Sequence, residues 1–196
     1  MQALLKLSRG IDALTDRVGR TTTWLVLVVT LISAINAFVR YAVNYSSNGL
    51  LEIQWYLFSA IFLLCAGYTL MRNEHVRIDV VTGHLSPRAH AWIDIVGTLF
   101  FLAPMALLVL YLSSPIFVNS YLTHEQYSNA GGLTVWPVRL LVPVGFALLI
   151  LQAASEFIKR VAFLKGLIDD PSTKHKGPSA EEGLAEAIRR QRGEEA

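Results

Sequence analysis

Residues Leu50 to Met71 form one apolar run, LLEIQWYLFSAIFLLCAGYTLM, in which Glu52 is the only charged residue. Coiled as a helix at about 1.5 Å per residue, the run reaches across a bilayer core of roughly 30 Å. Glu52 falls in its first turn, and a charged, histidine-bearing exit from Arg72 to Asp79 follows its last. A soluble core helix has no use for so long an apolar run, so this segment is expected to span a membrane.

Composition points the same way. Apolar residues make up 53% of the 196-residue chain and charged residues 16%, with a mean hydropathy of +0.44. A soluble domain carries about a quarter charged residues. Cys65 is the only cysteine, which excludes an intrachain disulfide. The net charge of +2 is too small to imply a nucleic-acid partner.

Ahead of the first span, Leu4, Leu7, Ile11, Leu14 and Val18 recur at intervals of three and four. This pattern predicts a helix with one apolar stripe, from which Lys6, Arg9, Asp12, Asp16, Arg17 and Arg20 lie largely aside. An apolar face opposite a basic one, just before a span, predicts an amphipathic helix lying in the membrane interface over residues 1–22. A seam against another helix is the alternative. A cleaved signal peptide fits less well, since no small-residue cleavage site interrupts the approach to Arg40 and Tyr41.

The membrane domain is placed at residues 23–165 and a cytoplasmic tail at 166–196. Four spans are expected, at about 23–43, 50–71, 92–112 and 138–157, with Pro104 kinking the third and Pro115 near its end. Lysines and arginines number four in the leader, one in the first loop, three in the second, one in the third and eight in the tail. This alternation predicts an even number of spans with both termini cytoplasmic. The fold class is thus an all-α, four-span membrane protein.

Polar groups in the spans fall on shared faces. Ser33, Asn36, Ala37 and Arg40 line up in the first span, Ser59, Ala66 and Gly67 in the second. Asp94, Gly97 and Thr98 do so in the third, and Gly145, Gln152 and Glu156 in the fourth. In lipid, small residues and cross-helix hydrogen bonds supply the association surfaces, so these faces should turn inward or toward another membrane protein. Arg40 and Glu52 flank one short loop and are placed to pair. Glu52 and Asp94 each sit in a first turn, where the helix dipole favours an anion.

No acid or base stands near the middle of a span, where ion-coupled transporters place theirs. The histidines at 75, 84, 90, 124 and 175 all lie outside the spans, which argues against a haem held between facing helices. Clustered metal-ligand spacing, a glycine-rich phosphate loop and a G-x-S-x-G elbow are absent from the sequence. The chain therefore reads as neither an enzyme nor a cofactor carrier.

Three stretches together resemble the small membrane subunit (Q, DctQ-like) of tripartite ATP-independent periplasmic (TRAP) transporters. The first is Arg40-Tyr41 followed by Glu52 and Trp55, at the turn into the second span. The second is Glu74-His75-Val76-Arg77-Ile78-Asp79 behind that span. The third is Ser128-Asn129-Ala130-Gly131-Gly132-Leu133, then Trp136-Pro137, Pro143, Gly145-Phe146 and Leu151-Gln152.

The resemblance covers roughly residues 20 to 160. It implies a bacterial inner-membrane scaffold without cofactor, paired with a large membrane subunit that binds sodium and substrate. A periplasmic binding protein would deliver an organic acid. On that reading Arg40, Glu52, Trp55, His75, Arg77, Asp79, Asp94, Glu125, Asn129, Trp136 and Gln152 are candidate interface or structural residues. The loop 114–137, with Asn119, Glu125 and Asn129, would face the binding protein. Its pattern leans toward members that handle keto acids and related carboxylates.

Within the tail, 156–168 should continue the last helix into a lipid-contacting interface with Lys159, Arg160 and Lys165. Ser179 and Glu182 form a capping-box pattern after a linker at 171–178. Two other classes remain in view. A self-sufficient four-helix transporter or channel would need a buried mid-span acid. An intramembrane enzyme or redox subunit would need paired reactive groups at one depth.

Overall fold

The computed structural model describes residues 2–44, 48–72, 86–129 and 132–168. Helix α1 is Gln2–Val43 and α2 is Asn48–Arg72. Helix α3, Pro87–Gly97, passes through a π-helical turn, Thr98–Leu102, into α4, Ala103–Leu122. Helix α5 is Trp136–Leu164. Among the described residues, four rods are long and apolar enough to cross a membrane: α1, α2, the continuous α3–α4 rod and α5.

Leader and first span form a single helix of 42 residues with no break at residue 22. At about 1.5 Å per residue it is about 63 Å long, twice a bilayer core. Besides Gly19, its buried positions are Ser8, Thr15, Thr22, Val29 and Asn36, each seven residues after the last. That interval is the seam of a helix pair with a 3.5-residue period. The apolar stripe of the leader points outward instead: Leu4, Leu7 and Leu14 are exposed, and Ile11 and Val18 half-buried. Thr22 and Thr30 donate their hydroxyls to the carbonyls four residues back, so these polar groups need no partner outside the helix.

Helix α5 is the hub. It packs against α2, α4, α1 and α3, α1 also packs on α2, and the α3–α4 rod has its principal contacts with α5. Close approach of α2 and α5 depends on small residues. A Cβ on Gly145 would meet Leu63 Cβ at 2.8 Å and its carbonyl oxygen at 2.9 Å, and Gly67 lies against the backbone of Leu148. Alanines Ala60, Ala91, Ala106, Ala153 and Ala162 make up much of the buried apolar set.

Proline chemistry shapes the third rod. Pro87 follows the cap residue Ser86, whose hydroxyl accepts from the Ala89 N–H, so α3 starts with its first donors accounted for. Pro104 has no N–H to give the carbonyl four residues back. The ladder slips one residue ahead of it, and the Ala103 N–H bonds Thr98. The expected kink is therefore a π-turn. Helix α5 closes with Gly166 at φ +69°, where Leu167 N–H reaches Ala162 and Gly166 N–H reaches Phe163.

Candidate functional site

Two polar clusters tie the rods together, one at each end. At the end where α1 begins and α5 finishes, Asp12 is the centre. Its Oδ1 accepts from Gln152 Nε2 (2.9 Å) and Ser155 Oγ (2.7 Å), and its Oδ2 lies 3.1 Å from Lys159 Nζ. Ser155 has one proton, drawn to the charged acceptor, so Ser8 Oγ donates to Ser155 Oγ at 2.7 Å. Gln152, with no exposed surface, accepts from Thr15 Oγ1 (2.8 Å) and donates a second bond to Glu156 (3.2 Å). Lys159 also meets Glu156 at 2.5 Å. Every polar atom of the Gln152 carboxamide is engaged, the condition for burying one.

Neighbouring pairs extend this seam. Asp16 receives Arg72 from α2 at 3.1 Å and Arg20 at 2.8 Å, and the Arg72 guanidinium lies 5.1 Å over the ring of Tyr68. Gly19 makes room for that ring; any Cβ there would run into it. On the other side of α5, the buried Arg160 pairs with Asp94 of α3 at 3.0 Å. The leader is thus fastened to α2 and α5 by polar contacts, so the start of α1 and the finish of α5 share one end of the bundle.

At the opposite end, the loop between α4 and α5 folds back on α2. Gln126 and Thr134 form an antiparallel bridge, flanked by Tyr127 N–H to Leu133 O and Val135 N–H to Glu125 O. Glu52 clamps this hairpin. Its Oε2 accepts the Leu133 N–H at 2.6 Å and its Oε1 accepts Asn129 Nδ2 at 3.2 Å, while Tyr56 donates its hydroxyl to the Thr134 carbonyl. Arg139 grips Glu125 through two parallel bonds (2.5 and 2.7 Å), and Trp136 meets Tyr121 edge-on at 5.6 Å.

The structure brings Glu52, Asn129, Glu125 and Trp136 into this one cluster, with Trp55 exposed beside it, and Asp94 and Gln152 into the other. Arg40 is exposed at the end of α1, and the carboxylate it was placed to meet is taken up by Asn129 and Leu133 instead. His75, Arg77 and Asp79 lie outside the described residues. Sequence reasoning did not single out Asp12, Ser155 and Lys159 as one network. Their signal was the pairing of polar positions on the leader with polar positions on α5, which hydropathy scoring passes over.

The described polar groups of both clusters join helix to helix or loop to helix, at the ends of four long apolar rods. That defines a multi-pass membrane protein whose described polar clusters join its helices. Residues 29–163 match the model of the family described as Tripartite ATP-independent periplasmic transporters, DctQ component, and the chain belongs to that family. No curated protein and no solved structure matches it.

Proposed function

We propose that the chain is the scaffold subunit of a TRAP transporter. It would pair with the large membrane subunit in sodium-coupled, binding-protein-dependent uptake of an organic acid. The observation that carries this reading is how little of each rod the chain covers. Only 11% to 28% of each span's most apolar stretch is buried within the fold. The α3–α4 rod, resting mainly on α5, leaves Phe100, Phe101, Leu108 and Tyr111 exposed. Such surface must meet lipid or another apolar protein.

No Asp, Glu, Lys, Arg or His lies mid-span, so sodium and substrate are assigned to the large partner. The family match supports a bacterial inner-membrane placement, and the lysine and arginine count supports both termini in the cytoplasm. The Glu52-clamped hairpin then faces the periplasm, where Glu125, Asn129 and Trp136 would hold or form the surface met by the binding protein. Affinity purification of the full chain from its own membranes tests the pairing. A stoichiometric, much larger multi-span protein is expected; recovery of this chain alone, across mild detergents, would count against it.

A further inference from the structure

The outer hairpin and the start of α2 enclose a cavity of about 350 Å3, lined by Asn48, Leu51, Glu52, Trp55, Tyr127 and Asn129. Its volume falls in the range of ligand pockets, about 300–1,000 Å3. Among these lining residues Glu52 is the one charge, and it is 8% exposed. A carboxylate offers about four lone-pair positions. The Leu133 amide and the Asn129 carboxamide fill two of them, and both donors are neutral.

The Glu52 carboxylate is therefore almost buried, and the described lining residues include no lysine or arginine. A carboxylate buried without a counter-ion is destabilised, and an entering cation would offset that. The walls suit such a guest. Trp55, 71% exposed, and Tyr127 offer aromatic rings that attract cations, and the Asn129 side chain, whose amide nitrogen donates to Glu52, carries a carbonyl oxygen. A planar guanidinium fits a carboxylate, an amide oxygen and a ring surface together better than a compact ammonium does. An acidic guest would meet the Glu52 charge, and an apolar one would leave it unpaired.

The geometry points to this cavity as a receptor for a guanidinium group, an arginine side chain presented by the substrate-delivering binding protein. The identity of that partner rests on the proposed function; the charge and shape of the cavity do not.

Fluorine spectra of the two-subunit complex in lipid nanodiscs, labelled with 5-fluorotryptophan, give a direct readout. The Trp55 resonance is assigned with W55F. N-acetylargininamide should shift it saturably, N-acetyllysinamide more weakly, and N-acetylglutaminamide not at all. In E52Q the shift should weaken by about tenfold or more, the loss of one charge-assisted contact. The same variant should weaken binding-protein association comparably without loosening the large subunit. W55A, which leaves the Glu52 clamp in place, should weaken that association too.

A Trp55 signal that does not saturate, or that saturates equally in E52Q, overturns the receptor. A saturable shift with association unchanged in E52Q and W55A overturns the arginine of the binding protein as its occupant. Failure of the wild-type complex to recruit any binding protein, with the shift intact, overturns the functional reading and the partner assignment with it.

Discussion

The backbone N–H of Leu133 donates to Glu52 Oε2 at 2.6 Å, joining the hairpin between α4 and α5 to the start of α2 across 81 residues of sequence. This bond fixes the loop because the carboxylate is nearly buried and the amide has no competing partner among the described contacts. Glu52→Ala should leave that amide unsatisfied, at a cost of about 1–3 kcal/mol. Hydrogen exchange is the check. The Leu133 amide should be well protected in the wild type and exchange tens-fold faster in the variant, whereas Asn129→Ala, removing a longer bond from an exposed side chain, should do less.

The glycines of the rods should respond in a graded series. Gly145→Ala presses a methyl into Leu63 at 2.8 Å and should destabilise by about 1–3 kcal/mol through overpacking. Gly67→Ala meets its nearest atom at 3.5 Å, ordinary contact, and should be nearly neutral. Gly97→Ala meets nothing within 4 Å and should stabilise slightly, by up to about 1 kcal/mol from helix propensity. Thermal unfolding of the three variants in one detergent should give that order.

The ion pair of Arg160 with Asp94 joins α3 to α5 where the arginine is 5% exposed. Arg160→Met removes the charge paired with the Asp94 carboxylate at a nearly buried position and should cost up to about 3–5 kcal/mol. Asp94→Asn added to Arg160→Met should recover part of that loss. A double-mutant cycle on denaturation midpoints measures the coupling, and strict additivity would mean that the pair contributes little.

Leader docking makes a paired prediction. Ser8→Leu forces a larger side chain into a position only 1% exposed and breaks the bond to Ser155. Leu7→Gln alters a side chain 57% exposed. In detergent the first should lower the melting temperature by several degrees and the second hardly at all. The reverse order would place the leader's apolar stripe, rather than its polar seam, against the bundle.

Much of this architecture is legible in the residues themselves. Four apolar runs in the sequence correspond to four rods, because span length is set by bilayer thickness and needs no tertiary information. Gln152 and Asp94 stood out because polar groups in apolar helices are few.

The facing of the leader was harder to read. Leu4, Leu7 and Leu14 form the stripe that hydropathy detects, yet the buried seam is the seven-residue series of Ser8, Thr15, Thr22, Val29 and Asn36, whose small polar members score as surface. The partner of Glu52 was hidden for another reason. Arg40 is near it in sequence, while Asn129 and Leu133 reach it only once the hairpin has formed. Pro104 announced a disturbance in the third rod, but its form as a π-turn depends on which carbonyl the displaced ladder finds.

The central claim is that this chain braces a transporter and moves nothing itself. Proteoliposomes carrying the purified chain alone, supplied with a sodium gradient, binding protein and labelled organic acids, test it most directly. The account predicts no accumulation above empty vesicles, with uptake appearing once the large subunit is co-reconstituted. Sodium-driven accumulation by the chain alone would contradict it.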